Sequence, residues 1–340
     1  MSPRRRAKLV TMKLAVLHNP RPVGDDAAVP DDWFEEYDTA ETVNAICAAL
    51  AGPGIEPVPV VADRRLPFRL EEGRFDFAFN IAEGAGRRCR EAVAAAVCEL
   101  MGLPYTGSDP LTLAVTQDKA IARRIVSPNI PVAAAMLVDR ESDVLDLGAL
   151  VYPVIVKPND EGSSKGISAA SVCRSPEAAA DRCRWLRSRY GCPALVEEFL
   201  PGMEITVAVR GNGDAREILG LMEIAPTEPM ESFVYDVEVK RDWRRRVRYH
   251  TPPRLPGPVL DAIADLAMEA YGLLGCRDIA RIDFRLDAGG KPRFLECNPL
   301  PGLDPANSDI VIMLRERLVY RDLVRGILSD AIQRTGTSIS

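Results

Sequence analysis

Residues 281–302 read Arg-Ile-Asp-Phe-Arg-Leu-Asp-Ala-Gly-Gly-Lys-Pro-Arg-Phe-Leu-Glu-Cys-Asn-Pro-Leu-Pro-Gly. Apolar and polar residues alternate before the Asp-Ala-Gly-Gly turn and return after it, which predicts a β-hairpin with one buried face. Glu296 and Asn298 are two positions apart and share a sheet face, and a hairpin can bring Asp283 beside them. Two carboxylates and an amide oxygen are hard ligands of the kind that Mg²⁺ prefers. The alternative is a solvated hairpin face.

Composition excludes several classes of protein. The chain has 340 residues, a formal net charge of −6, eight cysteines and two histidines. The length predicts more than one domain, and the net charge argues against a general nucleic-acid surface. No two cysteines form Cys-x-x-Cys, so reduced thiols fit better than a zinc site or a disulfide framework. No apolar run reaches membrane-spanning length. We therefore expect a cytoplasmic protein with neither a nucleic-acid nor a membrane partner.

The order of patterns predicts three folded regions after a tail. Residues 1–11 contain an arginine run with no apolar segment of signal-peptide type behind it, and we expect them to be disordered. Residues 12–111 alternate strand and helix patterns, which is typical of a parallel α/β domain. Residues 112–200 and 201–335 predict two α+β units. Within the central unit, one helix is expected over 113–126, and strands over 132–138, 151–157, 167–172 and 194–200.

A polar loop between two apolar strands is a candidate anion site. It reads Glu161-Gly-Ser-Ser-Lys-Gly166, and its glycines and serines can cradle phosphate oxygens although the P-loop pattern is absent. A surface turn is the competing interpretation. Lys157 ends the preceding strand, where it can pair with phosphate across a cleft. Alternatively, its ammonium group simply reaches solvent along an apolar stem.

Two further charged stretches are candidates for contacts with a nucleotide. The run Glu197-Glu198-Phe-Leu-Pro-Gly-Met-Glu204 offers carboxylates and backbone amides that suit an adenine edge and ribose hydroxyls, or it is an ordinary solvated edge. Residues 232–248 are basic and aromatic. Three interpretations are open: a solvated charged face, a nucleic-acid patch, or a mobile flap whose Lys240 and arginines cover a triphosphate. The overall acidity of the chain disfavours the nucleic-acid patch.

Taken in chain order, these residues resemble the ATP-grasp superfamily, and most closely the D-alanine–D-alanine ligase family. The matching strings span nearly the whole chain and are specific as a set. They are Tyr105-Thr-Gly-Ser-Asp, Asp118-Lys119, Tyr152-Pro-Val-Ile-Val-Lys-Pro, Glu161-Gly-Ser-Ser-x-Gly, Gly202-Met-Glu204-x-Thr-Val, Tyr235-Asp-x-Glu-x-Lys240, Arg281-Ile-Asp-Phe and Glu296-Cys-Asn-Pro-Leu-Pro-Gly.

The resemblance implies a three-domain ATP-grasp fold whose N-terminal parallel α/β unit is the pre-ATP-grasp domain. ATP would lie between the central and C-terminal units, under a flap formed by residues 228–252. The implied cofactors are ATP and two Mg²⁺ ions, for which Mn²⁺ can substitute. The implied partners are amino acids or peptides and, from the resemblance alone, a second copy of the chain in a homodimer.

The resemblance also implies a role for each matched residue. Asp283, Glu296 and Asn298 would bind the metal ions. Arg281 and the backbone N–H of Gly302 would stabilise an oxyanion, and Lys240 and Ser164 would also take part in catalysis. The implied contacts to ATP are Lys119, Lys157, Glu161, Ser163, Ser164, Glu197, Glu198, Glu204, Tyr235 and Lys240.

The implied reaction is the ATP-dependent joining of a carboxylate to an amine. Transfer of the γ-phosphoryl group turns the carboxylate into an acyl phosphate, with release of ADP, and the amine then displaces phosphate. Closure of a flap would protect the acyl phosphate from water. A phosphotransferase and a nucleotide-binding regulatory protein are the alternatives, although an oxyanion stabiliser has no purpose in regulation alone.

The sequence departs from the family pattern where substrates bind. The first strand leads into His18-Asn-Pro-Arg-Pro in place of the family's Gly-Gly-x-Ser-x-Glu, which leaves Asp38 and Glu41 as candidates for binding an amine. Acidic residues there also favour the dipole of the following helix. Glu83 replaces a histidine, and Asn307, with Ser308 adjacent, replaces a serine near the second substrate. Because recognition groups decide which substrates are rejected, acids or amines other than D-alanine remain open.

Overall fold

The structure is a computed structural model of the chain. It describes residues 11–22, 29–86, 88–230 and 232–337, with only the backbone of 143–145. The predicted disordered tail lies, as far as residue 10, outside the described residues. Among the described helices, none is both long and apolar enough to cross a membrane. All eight cysteines are free thiols.

The first sheet is parallel, as predicted, with strand order β2-β1-β3. Its strands are β1 (Met12–His18), β2 (Ile55–Val61) and β3 (Phe77–Asn80). The carboxyl ends of parallel strands meet at one sheet edge, so the loops after β1 and β3 come together there. The helices of this region are α1 (Ala40–Leu50), α2 (Leu66–Gly73), α3 (Ala92–Met101), α4 (Pro110–Gln117) and α5 (Lys119–Val126).

The single helix predicted over 113–126 is wrong, because α4 ends at Gln117 and α5 begins at Lys119. Asp118 between them has extended backbone angles, φ −86° and ψ 96°, and its carboxylate accepts the N–H of Ile121 at 3.0 Å. An aspartate cap of this kind starts a new helix. The break places Lys119 at the first position of α5.

The second sheet is antiparallel, with strand order β4-β7-β5-β6. Helix α6 packs against it and ends at Gly191, which adopts φ 65°. The elements are β4 (Ala135–Val138), β5 (Val154–Pro158), β6 (Val172–Cys173), α6 (Pro176–Tyr190) and β7 (Ala194–Glu198). A 3₁₀ segment, Glu141–Ala149, follows β4.

The predicted strand over 167–172 is also wrong. A short 3₁₀ turn, Ala169–Ser171, occupies half of it, and the strand β6 covers only two residues, Val172 and Cys173. The side chain of Ser171 accepts the backbone N–H of Ser168 at 3.1 Å. Serines that bond to nearby backbone compete with sheet pairing, which explains the turn.

The third sheet is antiparallel, with strand order β10-β9-β8-β11-β12. Helix α9 covers one face, and α10 packs on β9. The strands are β8 (Glu204–Arg210), β9 (Glu217–Pro226), β10 (Val247–His250), β11 (Ile279–Leu286) and β12 (Pro292–Asn298). The helices are α7 (Val237–Arg241), α8 (Trp243–Arg246), α9 (Gly257–Leu273), α10 (Asp309–Leu314) and α11 (Tyr320–Thr335). A short 3₁₀ turn, Gly213–Ala215, joins β8 to β9.

The predicted hairpin is confirmed as β11 and β12. Asp283 lies opposite Glu296, and Arg281 lies opposite Asn298. Asp287 closes the turn, since its carboxylate accepts the N–H groups of Gly289 and Lys291, each at 2.9 Å. The turn fixes the pairing of the residues next to it, and a register shift between Phe284 and Asp283 then sets Asp283 against Glu296.

Candidate active site

A cleft of about 640 Å³ lies between the second and third sheets. Strands β5 and β7 supply one wall, and β8, β11 and β12 supply the other. Side chains that alternate along these strands bring charged groups to the cleft while their neighbours enter the core. The charged residues that line it are Lys157, Glu197, Glu198, Glu204, Asp283, Arg285 and Glu296.

Lys157 is fixed at the cleft by a buried carboxylate. Its Nζ lies 2.5 Å from Oε1 of Glu197, and the guanidinium of Arg123 lies 2.9 Å from the other oxygen. Burial raises the pKa of Glu197, but Lys157 and Arg123 outweigh it and the pKa is lowered. Both oxygens of Glu197 therefore lie beside cations while the residue lines the cleft, and its contact with adenine or ribose stays a prediction.

Glu204 and Arg285 form the opposite charged pair of the cleft, with 3.3 Å between the guanidinium and the carboxylate. Burial is the main cause that raises the pKa of Glu204, and Arg285 opposes the shift. Arg285 was missed from the sequence. A signal was available, because Arg281, Asp283 and Arg285 recur with the period of two that places side chains on one strand face.

The predicted meeting of three oxygen-bearing side chains is confirmed on β11 and β12. Nδ2 of Asn298 lies 3.3 Å from Oδ2 of Asp283 and 3.4 Å from Oε1 of Glu296. Thr206 donates its hydroxyl to Asp283 at 2.6 Å. The backbone pairing of adjacent strands thus gathers two carboxylates and an amide at the inner end of the cleft.

Four cationic side chains surround Glu296. Burial raises its pKa, but Lys119, Lys157, Arg281 and Lys240 together lower it to about 2. Lys119 is the nearest measured contact, with 3.5 Å between its Nζ and Oε2 of Glu296. These cations come from four separate elements, so only the tertiary fold brings them to one carboxylate.

The loop of residues 161–166 covers the same end of the cleft. Ser163 and Ser164 have positive φ values of 48° and 61°, a strained conformation for residues other than glycine. The hydroxyl of Ser164 donates to the carbonyl oxygen of Tyr235 at 2.7 Å. Within the part of the chain that the structure describes, the backbone N–H groups of both serines have no acceptor, which leaves them available for an anion.

Glu161 has a different environment from the one predicted. Its carboxylate pairs with Lys165 and with Arg90, and the Arg90 contact measures 3.3 Å. Its carbonyl oxygen accepts Nζ of Lys119 at 2.5 Å. Glu161 therefore positions Lys119 through its backbone, and its carboxylate does not line the cleft.

A second, larger cavity of about 1730 Å³ adjoins the cleft. Arg281 and Gly302 line it together with Lys240 of α7. The Arg281 guanidinium lies 2.9 Å from Asp283 and 3.4 Å from Asp309. Among the described residues, the N–H of Gly302 has no acceptor. A cation and an amide hydrogen thus face one space beside the acidic set.

The predicted flap residues lie over this cavity. The Tyr235 hydroxyl donates to Asp309 at 3.0 Å and lies 2.6 Å from the Tyr249 hydroxyl, while Nζ of Lys240 lies 5.0 Å from the centre of the Tyr235 ring. Asp236 caps α7 by accepting the N–H of Val239 at 2.8 Å. Tyr235 therefore anchors the base of the segment that carries Lys240.

Proteins of known family match most of this chain. A family model described as "D-ala D-ala ligase C-terminus" matches residues 128–329. A D-alanine–D-alanine ligase of Geobacter sulfurreducens is 33% identical over 84% of this chain and 87% of its own length. The chain belongs to the D-alanine–D-alanine ligase family. An uncharacterized protein of Sinorhizobium fredii, y4sG, is 30% identical over 90% of both chains.

The family fold is shared with solved structures. The D-alanine–D-alanine ligase of Bacillus anthracis, solved in complex with ATP, superposes with a TM-score of 0.71 at 21% identity. The match covers 96% of this chain and 98% of the other. The predictions of the ATP-grasp fold, the family and the enzyme class, an ATP-dependent ligase, are confirmed.

The residues at which this family member departs from the family pattern divide into two groups. Asp38, Glu83, Asn307 and Ser308 line the large cavity, beside Arg281. Glu41 is exposed in the first turn of α1 and does not line it, so the structure does not support its predicted substrate contact. The acidic side chain at the start of a helix instead fits a favourable interaction with the helix dipole.

Further residues of this ligase site were missed in the sequence. They lie on the connection between β1 and α1, at the start of α3 and on the segment that leads into α10, where no regular pattern marks them. Asp309 could have been found from its position next to Ser308. The missed charged residues that line the cavity are Arg21, Glu35, Glu36, Glu91, Asp304 and Asp309.

Proposed function

We propose that this ligase couples ATP hydrolysis to formation of an amide bond between the carboxylate of an amino acid or peptide and an amine. The reaction would pass through an acyl phosphate and release ADP and phosphate. The observation that carries the proposal is the convergence of four cations on Glu296, where the ATP-sized cleft meets a larger cavity. Residues 12–111, 112–200 and 201–335 would act as its three domains, with 228–252 as the flap.

Phosphoryl transfer would take place at this junction. Lys119, Lys157 and Lys240 would bind the phosphates, with Ser163 and Ser164 donating from the loop above, because cations and amide hydrogens offset the charge that spreads over the transferred group. Glu198 and Glu204 at the far end of the cleft would face the ribose and adenine, since carboxylates bind hydroxyls and repel phosphate.

The donor set of Asp283, Glu296 and Asn298 fits Mg²⁺. It combines two carboxylates with an amide whose Nδ2 lies 3.3 Å from Asp283 and 3.4 Å from Glu296, and rotation of that amide would turn its oxygen toward the same space. These residues would hold two ions, or Mn²⁺ in their place. Bound there, the metal would neutralise charge on the transferring phosphoryl group.

Amide formation would occur in the larger cavity. The amine attacks the acyl carbon, the carbonyl oxygen becomes an oxyanion, and phosphate leaves with the electron pair of the broken C–O bond. Arg281 and the N–H of Gly302 would donate to that oxyanion. Asp309 and Asp283 hold the guanidinium from two sides, which keeps it aimed at the cavity.

The acidic side chains of the cavity wall favour substrates with ammonium groups, because a bound cation would offset the burial that raises the pKa of Asp38, Glu83 and Glu91. Asp38, Glu83 and Glu91 line one side, and among the described residues no salt bridge to any of them is present. Asn307 and Ser308 line another side. Because Glu83 and Asn307 depart from the family pattern on this wall, acids or amines other than D-alanine are candidates for the preferred pair. We expect a cytoplasmic enzyme without a nucleic-acid partner, and a homodimer from family membership alone.

The test is an ADP-release screen of the purified protein over D- and L-amino acids, dipeptides and polyamines. Mass spectrometry then identifies each product. We expect an acid–amine pair to give a new amide with one ADP released per bond. A phosphorylated product without an amide would instead indicate a phosphotransferase. Activity with another acid–amine pair but none with D-alanine would show that this family member joins substrates other than D-alanine.

A further inference from the structure

An acidic segment, residues 29–38, binds both ends of the loop 161–166. The carboxylate of Glu36 accepts the N–H of Gly162 at 2.7 Å. The carboxylate of Asp32 accepts the N–H of Gly166 at 2.8 Å and the hydroxyl of Tyr190 at 2.8 Å. Two residues of the connection between β1 and α1 therefore fix a loop that belongs to the second sheet.

Glu36 is the centre of a buried ion network. Its side chain is 3% exposed, and it accepts Nζ of Lys165 at 2.6 Å and the guanidinium of Arg90 at 2.8 Å. Burial raises the pKa of Glu36, but Arg90 and Lys165 outweigh it and lower the pKa to about 2. The carboxylate is thus charged at neutral pH, and its hydrogen bond to the loop is the stronger for it.

The contact with Gly162 leaves no room for a side chain unless Glu36 or the loop moves. A Cβ atom at this position would lie 2.4 Å from Oε1 of Glu36. Between the two anchored ends, Ser163 and Ser164 hold left-handed backbone conformations that persist only where the surroundings fix them. Glu36 and Asp32 accept the N–H groups of Gly162 and Gly166. In the described part of the chain, the N–H groups of the two serines stay free to bind phosphate oxygens.

The acidic segment also reaches the flap and the substrate cavity. Arg241 of α7 lies 2.6 Å from Glu35 and 3.2 Å from Asp31. Asp38, at the end of the segment, lines the large cavity. One stretch of chain therefore contacts the phosphate loop, the flap and the space for the substrates.

We propose that Glu36 and Asp32 are positioning residues that hold the loop 161–166 over the transferring phosphoryl group and keep water out. The acidic segment thereby couples occupation of the substrate cavity to productive use of ATP. The inference rests on the proposed function. If the loop were released, water would attack the phosphoryl group or the acyl phosphate, and ATP would be converted to ADP and phosphate without an amide.

The decisive variant is Glu36→Gln, which keeps the shape of the side chain and removes its charge. We expect amide formation to fall at least about tenfold, because a misplaced loop costs positioning. The ratio of ADP released to amide formed should rise well above one, while the KM for ATP changes less than about twofold. Gly162→Ala, which pushes the loop from Glu36, should give the same signature.

The matched control is Glu223→Gln. Glu223 is also buried, at 1% exposure, and pairs with Arg254 at 2.7 Å, but it lines neither cavity. Its replacement should lower the melting temperature without changing the ratio. An unchanged ratio in both Glu36→Gln and Gly162→Ala, with ADP and amide falling in proportion, would overturn the proposal and leave a structural role only.

Hydrogen exchange of the ATP-bound protein separates this inference from the proposed function. Peptides spanning 161–166 should exchange faster in Glu36→Gln than in the wild type or in Glu223→Gln, whatever product the enzyme makes. Equal exchange in all three proteins would contradict the positioning role. A wild type that forms no amide would contradict the proposed function, while the exchange result would still decide whether Glu36 holds the loop.

Discussion

Ion pairing of individual residues determines what each can do at this site. Glu197 is buried between Lys157 and Arg123, so it holds Lys157 in place at the cleft. The carboxylate of Glu161 likewise forms ion pairs with Lys165 and Arg90. Removing one partner of such a pair leaves an uncompensated buried charge, which destabilises more than the pair itself stabilises. These glutamates therefore support the site without needing to touch a substrate.

Arg281→Ala tests the oxyanion role at the scale of one residue. We expect turnover to fall by about 10²–10³, as for the loss of an oxyanion donor, with a much smaller change in ATP affinity. Arg281 lies beside Asp283 and Asp309 and does not line the cleft between the second and third sheets. Isothermal titration with ATP and steady-state kinetics measure the two effects. Equal losses in affinity and turnover would contradict this role.

Asp38→Asn tests the pH dependence of stability. Burial raises the pKa of Asp38 to about 7 from an ordinary value of 3.8, and its Oδ2 has no hydrogen-bond partner among the described residues. A raised acid pKa means that the folded state binds the proton more tightly. Its stabilising contribution is present below pH 4 and is lost as the pH rises through about 7, by up to about 4 kcal/mol.

Asp38→Asn should therefore gain stability relative to the wild type as the pH rises from 5 to 8. Thermal unfolding at both pH values measures the difference. Glu41→Gln, which removes an exposed carboxylate nearby, is the control for loss of surface charge. A constant difference between Asp38→Asn and the wild type across this range would show that Asp38 does not titrate there.

At the scale of elements, strand pairing and helix starts place the reactive side chains. The register of β11 on β12 sets Asp283 against Glu296, and a shift by one residue would turn these side chains to the opposite face. The start of α5 places Lys119 at the loop 161–166, because Asp118 caps the helix and Asn159 accepts the N–H of Lys119 at 3.0 Å.

Asp118→Ala tests the element that carries Lys119. Loss of the cap should cost about 1 kcal/mol and raise the KM for ATP severalfold, because the first turn of α5 frays. Asp109→Ala is a matched control, since Asp109 caps α4 by accepting the N–H of Thr112 at 2.9 Å and also pairs with an arginine. Calorimetry should show similar losses of stability, whereas only Asp118→Ala changes the KM. A raised KM in both would indicate a general effect of destabilisation.

At the scale of the whole molecule, the last helix, α11, packs against the N-terminal α/β region. Helix α11 packs against α1, and its Leu323, Val324 and Ile327 share a core with the first sheet. Arg325 donates to the carbonyl oxygens of Ala49 and Ala51 at 2.8 and 2.7 Å. The site between the sheets thus depends on contacts made by elements more than 250 residues apart.

Asp278→Ala tests this packing. Asp278 has no exposed surface and accepts from Arg334 of α11 at 2.8 Å, from Asn212 at 2.8 Å and from the N–H of Gly107 at 2.7 Å. Its removal leaves the N–H of Gly107 without an acceptor and takes the carboxylate from the partly exposed guanidinium of Arg334, which should cost about 3 kcal/mol and on the order of 10 °C in melting temperature. Differential scanning calorimetry measures the loss.

The control for Asp278→Ala is Asp181→Ala, which breaks an exposed pair with Arg184 on α6. A surface pair contributes at most about 1 kcal/mol, so this variant should unfold close to the wild type. A melting temperature for Asp278→Ala as high as that of the control would show that α11 does not depend on the buried carboxylate.

Local pattern determined much of this protein. Alternation along residues 281–298 and the turn at Asp287 sufficed to predict the hairpin and the meeting of Asp283, Glu296 and Asn298, because strand period and turn chemistry are properties of neighbouring residues. The family followed from strings whose order is visible in the sequence. The break at Asp118 and the turn after Ser168 were missed, since a cap and a serine turn overrode the apolar spacing.

Only the tertiary structure decided which charged side chains are paired with one another. Glu36 and Asp32 precede the loop 161–166 by more than 120 residues, and no spacing in the chain indicates that they bind it. Nor does the sequence reveal that Glu161 and Glu197 form ion pairs with arginines of other elements. The physical reason is that burial and ion pairing depend on distances between elements, whereas sequence patterns record only the conformation within each one.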